Sequence, residues 1–151
     1  MTLRGILCAT MALLFLFGTA VCGQSPPQPL IPPGLSVERP RHPQSLSSSE
    51  VTAFLGTWRF AMTNPQGSQQ TVRLWDNYGV TAASFQIGKF PPNEITGIVK
   101  DGAVLVLTTT VRENGKPIWA VIALTLAGET MKMAQMLEQS ETIKRGSGTK
   151  E

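Results

Sequence analysis

From Gly56 onward the chain alternates apolar and polar residues with a period of two, broken at even intervals by turn-forming clusters. Gly56, Trp58, Phe60 and Met62 fall on one side of the first run, and Thr57, Arg59, Ala61 and Thr63 on the other. Successive side chains of a strand point to opposite faces, so the first set is expected to face a core. Seven turn signals follow: Asn64-Pro65-Gln66-Gly67, Asp76-Asn77-Tyr78-Gly79, Gly88 to Asn93, Lys100-Asp101-Gly102, Glu113-Asn114-Gly115-Lys116, Ala127-Gly128-Glu129 and Glu138-Gln139-Ser140. Asn114-Gly115 is the strongest hairpin signal, because both residues accept the positive φ of a type I′ turn. The turns delimit eight predicted strands: Gly56–Thr63, Gln70–Trp75, Val80–Ile87, Glu94–Val99, Val104–Arg112, Ile118–Leu126, Thr130–Leu137 and Glu141–Arg145.

These segments are rich in Val, Ile, Thr and Leu, and connections this short cannot make parallel crossovers. The expected fold is therefore all-β: an eight-stranded antiparallel up-and-down barrel, closed so that no edge is left. A short helix at Glu50 to Ala53, N-capped by Ser48 or Ser49 and pinned by Phe54 and Leu55, is expected to precede it.

Parity extends the inward set. Ile118, Ala120, Ile122, Leu124 and Leu126 share the apolar side of the sixth strand, and Met131, Met133 and Gln135 face inward from the seventh, opposite Lys132 and Ala134. Placing Ile143 inward on the last strand turns Arg145 inward as well, where a buried guanidinium needs a partner. The fifth and sixth strands are apolar on both faces: Val104 and Val106 oppose Leu105 and Leu107, and Trp119, Val121 and Ala123 oppose Ile118, Ala120 and Ile122. A wall apolar on both sides is normally covered on both. Trp119 and Val121 thus mark an expected interaction surface, covered by the helix, a second copy (a homodimer) or another protein of the cell envelope.

The region before the barrel reads differently. Arg4 is the only charge before Glu38, Gly5 to Phe17 is apolar, and Gly18, Thr19 and Ala20 are small. That order is a secretory signal, predicted to occupy residues 1–23 and to be cleaved after Ala20 or Gly23. The uncharged run continues to Cys22, which leaves two alternatives: an uncleaved anchor, and a lipid on Cys22. The membrane would be reached only in these ways. Residues 24–49 hold seven of the eleven prolines and end in serines, a composition that favours extended polyproline II and suits a stiff spacer. The domains are therefore expected to be a signal at 1–23, a linker at 24–49, a barrel at 50–146 and a tail at 147–151, in a periplasmic or secreted protein.

Charge and candidate chemistry exclude more than they propose. The net charge is +3, but residues 50–146 carry nine Lys/Arg against eight Asp/Glu, which is no footprint for nucleic acid. The only histidine, His42, and both cysteines, Cys8 and Cys22, precede the barrel. Neither a histidine base nor a histidine or cysteine metal site is thus on offer within it. Its acids Asp76, Glu94, Asp101, Glu113, Glu129, Glu138 and Glu141 fall at turns and strand ends. No catalytic residues, metal or cofactor are expected.

Leu55-Gly56-Thr57-Trp58 after a short helix resembles the G-x-W motif of the lipocalin and calycin barrels. The resemblance covers Glu50 to Gly146 and implies that Trp58 plugs the barrel base. A basic residue of the last strand, Arg145 or Lys144, would pack across it, so Gly56, Trp58 and Arg145 would be structural. The short strands and absent lid loop are nearer to minimal bacterial calycin-like domains than to a full lipocalin. With the signal segment, the absent catalytic residues and a barrel of eight strands that can hold one small ligand, the expectation is an exported domain that is not an enzyme and binds a small apolar molecule. The pocket candidates are Phe60, Met62, Ala120, Ile122, Met131, Met133 and Gln135, with Ala120, Gly97 and Ala82 leaving room and Thr109 and Gln135 orienting a polar end. The alternative is a protein-interaction module. A secreted bacterial family of metalloprotease inhibitors has a similar small G-x-W barrel behind an N-terminal segment, but with a disulfide that this chain lacks.

Overall fold

A computed structural model of the chain describes residues 45–63, 66–138 and 140–151. The expected signal, its cleavage site, Cys22, His42 and most of the linker lie outside the described residues. A short 3-10 helix, η1 (Ser48–Phe54), leads into eight strands: β1 (Gly56–Thr63), β2 (Gln66–Asn77), β3 (Val80–Ile87), β4 (Asn93–Asp101), β5 (Val104–Glu113), β6 (Lys116–Ala127), β7 (Thr130–Leu137) and β8 (Lys144–Lys150). Each strand pairs antiparallel with the next and β8 returns to β1, closing the barrel in sequence order. The expected all-β, up-and-down, eight-stranded architecture is the observed one. Asn114 and Gly115 both adopt positive φ in the β5–β6 turn, as that dipeptide demands.

The inward rows build one continuous core. Trp58, Phe60 and Met62 of β1, Val72 and Leu74 of β2, Ala83 and Phe85 of β3, Leu105 and Leu107 of β5, Ala120, Ile122 and Leu124 of β6, and Met131 and Met133 of β7 are all buried in it. Val51 and Phe54 of η1 join the same cluster. The helix is held at that end by Trp58, whose Nε1–H donates to the Phe54 carbonyl at 2.8 Å, and by Lys100, whose Nζ donates to the Glu50 carbonyl at 2.8 Å. One end of the barrel is thus closed by η1 over Trp58. The other end is ringed by the β1–β2, β3–β4, β5–β6 and β7–β8 connections.

The helix departs from the sequence expectation in detail. It begins at Ser48, its N-cap is Ser47 with no side-chain cap bond, and Ser48, expected as a cap, is buried. Val51 has non-helical φ and ψ within it, so the segment is two short turns rather than one regular helix.

The largest correction concerns the last strand. It runs Lys144–Lys150, not Glu141–Arg145, so most of the expected tail at 147–151 is barrel wall. Its two central inward residues are glycines, with Lys144 and Lys150 before and after them on the same face. Gly148 pairs with Phe60, and a Cβ there would come within 2.7 Å of the Phe60 ring and 3.0 Å of the Arg59 carbonyl oxygen. Gly146 pairs with Met62, and its Cβ would stand 2.6 Å from that sulfur and 2.9 Å from the Ala61 carbonyl oxygen. Large β1 side chains fill the space that β8 leaves vacant, so an apolar residue is not needed there. Arg145 pairs with Ala134 on the outward face and is exposed, not buried as expected. Ile143 precedes the strand. The basic residue over the barrel-base tryptophan is Lys150, with its Nζ 5.8 Å from the centroid of the Trp58 ring. Beyond it, the Glu151 N–H donates to the Thr57 carbonyl at 3.0 Å and its carboxylate pairs with Arg59, which fastens the terminus to β1.

Candidate binding site at the open end of the barrel

The sequence-predicted pocket residues all face the barrel axis. Phe60, Met62, Ala120, Ile122, Met131, Met133 and Gln135 are each no more than 3% exposed, and the apolar six belong to the one packed core. Two of the small residues expected to leave room do not face inward. Ala82 is the cross-strand partner of the half-exposed Trp75, and Gly97 is paired with Thr108 on the outer side of β4 and β5. Ala83 is the small inward residue of β3 instead. Thr109, expected to hold a ligand's polar end, donates its hydroxyl to the Glu94 carbonyl at 2.7 Å. Gln135 Oε1 accepts from Gln70 Nε2 at 3.2 Å, so the two inward glutamines are joined to each other by one hydrogen bond.

That pair makes a stability prediction. Gln135→Leu leaves the Gln70 amide buried without its partner and should cost about 1–3 kcal/mol. Replacing both glutamines by leucine should recover most of it, because two apolar groups leave nothing unpaired. Denaturant midpoints of the two single variants and the double variant measure this directly; simple additivity would contradict the pairing.

The space that could take a ligand lies at the rim. A cleft of about 420 Å³ opens between the β3–β4 connection and the β5–β6 hairpin, lined by Ile87, Phe90, Pro91, Pro92, Asn93, Arg112, Asn114 and Gly115. Its position follows from local chemistry. Pro91 and Pro92 remove two backbone donors and keep the connection from closing into a tight hairpin. The loop is fixed instead by Gln86, whose Nε2 donates to the Phe90 carbonyl at 2.9 Å, and by the Phe90 N–H, which donates to the Ile87 carbonyl at 3.1 Å. Phe90 itself is 73% exposed, although β-turn chemistry gives no reason for an aromatic ring there.

Across the cleft, Arg112 is exposed and takes part in neither of the two ion pairs among the described residues. The floor leads toward the core. Ile87 is the cross-strand partner of Gln70, so both share the inward face, and Gln70 Oε1 is buried without a hydrogen-bond partner. The cleft thus brings an apolar wall, a cation and a few amides around one concave volume.

None of the rim residues was singled out in the sequence as a binding residue, and Asn114-Gly115 was marked only as a hairpin signal. Phe90-Pro91-Pro92 reads there only as turn material, and the available signal was an aromatic residue placed where no core can use it. Gln70 was legible as the one polar member of the inward row Gln70, Val72 and Leu74. Trp119 and Val121 lie on the outward face and are nevertheless buried, together with Val106. Among the described residues no group of three or more His, Cys, Asp and Glu side chains is placed to hold a metal ion. Comparisons with protein-family models, with curated proteins and with solved structures give no match to the chain.

Proposed function

We propose that the domain is an exported, non-enzymatic, calycin-like barrel that binds a small apolar molecule with an anionic end in its rim cleft. The calycin assignment rests on the G-x-W segment, in which Gly56 takes φ +128° and Trp58 lies beneath both η1 and Lys150. The observation that carries the binding reading is the cleft: the exposed Phe90, with Pro91, Pro92 and Ile87, faces Arg112 across a volume large enough for a short alkyl chain. An alkyl group would cover the ring and prolines, and a carboxylate would meet the guanidinium, whose fork suits it.

Titration with decanoate and with decanol tests the reading. Decanoate should bind saturably and more tightly than decanol. Arg112→Gln should weaken decanoate by about tenfold, near 1.4 kcal/mol, and leave decanol unchanged. Phe90→Ala should weaken both. Binding that ignores both substitutions would overturn the site. A protein-interaction module is the second reading, and the buried outward residues around Trp119 favour it.

A further inference from the structure

The two ends of the Gln70 amide meet different fates. The residue is 3% exposed on the inward face of β2. Its Nε2 donates to Gln135 Oε1 at 3.2 Å across the barrel, whereas its Oε1 is buried and has no hydrogen-bond partner. Buried amide oxygens are nearly always paired, because an unpaired one has given up its hydration and received nothing in return.

The neighbours of Gln70 show where a donor could come from. Its cross-strand partners are Phe60 on one side and Ile87 on the other, and Val72 is the next buried residue of its own strand on that face. None of these three side chains carries a donor, and their backbones are engaged in the strand pairing. Gln135 spends its oxygen on the Gln70 N–H. Lys144, the inward residue paired with Gln135 on β8, has its Nζ 4.0 Å from the Glu113 carboxylate. The remaining approach is from the rim. Ile87 is half-buried and lines the cleft, and it faces Gln70 across the β2–β3 pairing. Facing residues on one side of a sheet have Cβ atoms about 5 Å apart, which places the Gln70 side chain beside that of Ile87.

We propose, resting on the reading of the rim cleft as the binding site, that its ligand is a hydroxyalkanoate. The carboxylate meets Arg112, the alkyl chain covers Phe90 and the prolines, and a hydroxyl on that chain passes Ile87 to donate to Gln70 Oε1. The surroundings select a hydroxyl among the possible donors. An ammonium would carry a charge onto the apolar surface of Phe60 and Ile87, with Gln70 as its only acceptor there. An amide N–H would bring its own carbonyl to the same surface, where no side chain donates to it. A hydroxyl brings a donor on a single atom. Gln70 then acts as a specificity residue: a plain alkanoate fills the cleft but leaves the buried oxygen unpaired, and a site of that kind discriminates against the analogue lacking the hydroxyl.

Calorimetric titration tests this in chain purified as the cell processes it. The probes are decanoate, hydroxydecanoates with the hydroxyl at each position along the chain, and the methyl ether of the tightest of them. One hydroxydecanoate should bind about tenfold more tightly than decanoate. Its methyl ether, which keeps the oxygen and loses the donor, should lose that advantage. In the variant Gln70→Leu/Gln135→Leu, which leaves neither buried amide unpaired, the preference for the hydroxyl should fall to about one. The side-chain amide resonances of Gln70 in the unaltered protein give a readout that does not depend on the variant folding: they should shift with the hydroxydecanoate beyond the shift seen with its ether. Equal affinities for decanoate and every hydroxydecanoate, with decanoate still weakened by Arg112→Gln, would overturn the donor contact and leave the cleft standing. A preference that survives in the double variant, an ether that binds as tightly as the alcohol, or Gln70 resonances that respond alike to both would also overturn it. Decanoate binding that ignores both Arg112→Gln and Phe90→Ala would overturn the cleft and this proposal with it.

Discussion

Trp58→Ala is expected to lower the stability of the domain by about 3–5 kcal/mol, a large share of what a domain of this size possesses. The indole is buried against η1, its N–H holds the Phe54 carbonyl, and its ring carries Lys150 above it. Truncation therefore removes a large apolar body, the anchor of the helix and the platform of the last strand together. The cavity cannot collapse easily, because β1 is locked on both sides by β2 and β8. Equilibrium denaturation measures the loss. A midpoint equal to that of the unaltered protein would mean that Trp58 is not the plug of the closed end.

Gly148→Ala should cost about 1–3 kcal/mol, although it adds a single methyl group to a strand near the end of the chain. The methyl would meet the Phe60 ring and the Arg59 carbonyl oxygen, neither of which can swing aside as the tip of a flexible chain could. Ser147→Ala and Thr149→Ala, at exposed outward positions between and beyond the same glycines, should change stability by less than about 0.5 kcal/mol. Thermal or denaturant unfolding of the three variants gives the comparison. Equal effects at all three positions would show that β8 does not close against β1 in this register.

How far the sequence reveals this molecule depends on which force sets each element. Period-two patterning is imposed by burial, so β1, β3 and β7 run over the very residues that the pattern marks, and the inward rows follow. β2 overruns its predicted ends through Gln66–Gln69, Asp76 and Asn77, mostly exposed and polar, and β6 through Lys116, Pro117 and Ala127, so neither extension continues the apolar alternation. β8 was misplaced for the opposite reason. Its central inward positions are occupied by Gly146 and Gly148 because Met62 and Phe60 take the room, and a hydrophobic pattern cannot register a space filled from across the barrel. The same slip moved the basic partner of Trp58 from Lys150 to Arg145. Trp119 and Val121 were legible as a covered surface because two-sided apolarity is visible in one strand alone. The rim cleft was not, since Phe90 and Arg112 lie far apart in sequence and come to line one cleft only when the β3–β4 connection and the β5–β6 hairpin stand at the same end of the barrel.

The central claim is that the interior is packed and that a ligand sits at the rim, and nuclear Overhauser effects from bound decanoate to methyl-labelled protein test it most directly. Contacts are predicted from the alkyl chain to the Ile87 methyl groups and the Phe90 ring, with none to the methionine methyl groups of Met62, Met131 and Met133. Contacts to those three methionines would place the ligand inside the barrel and contradict the account.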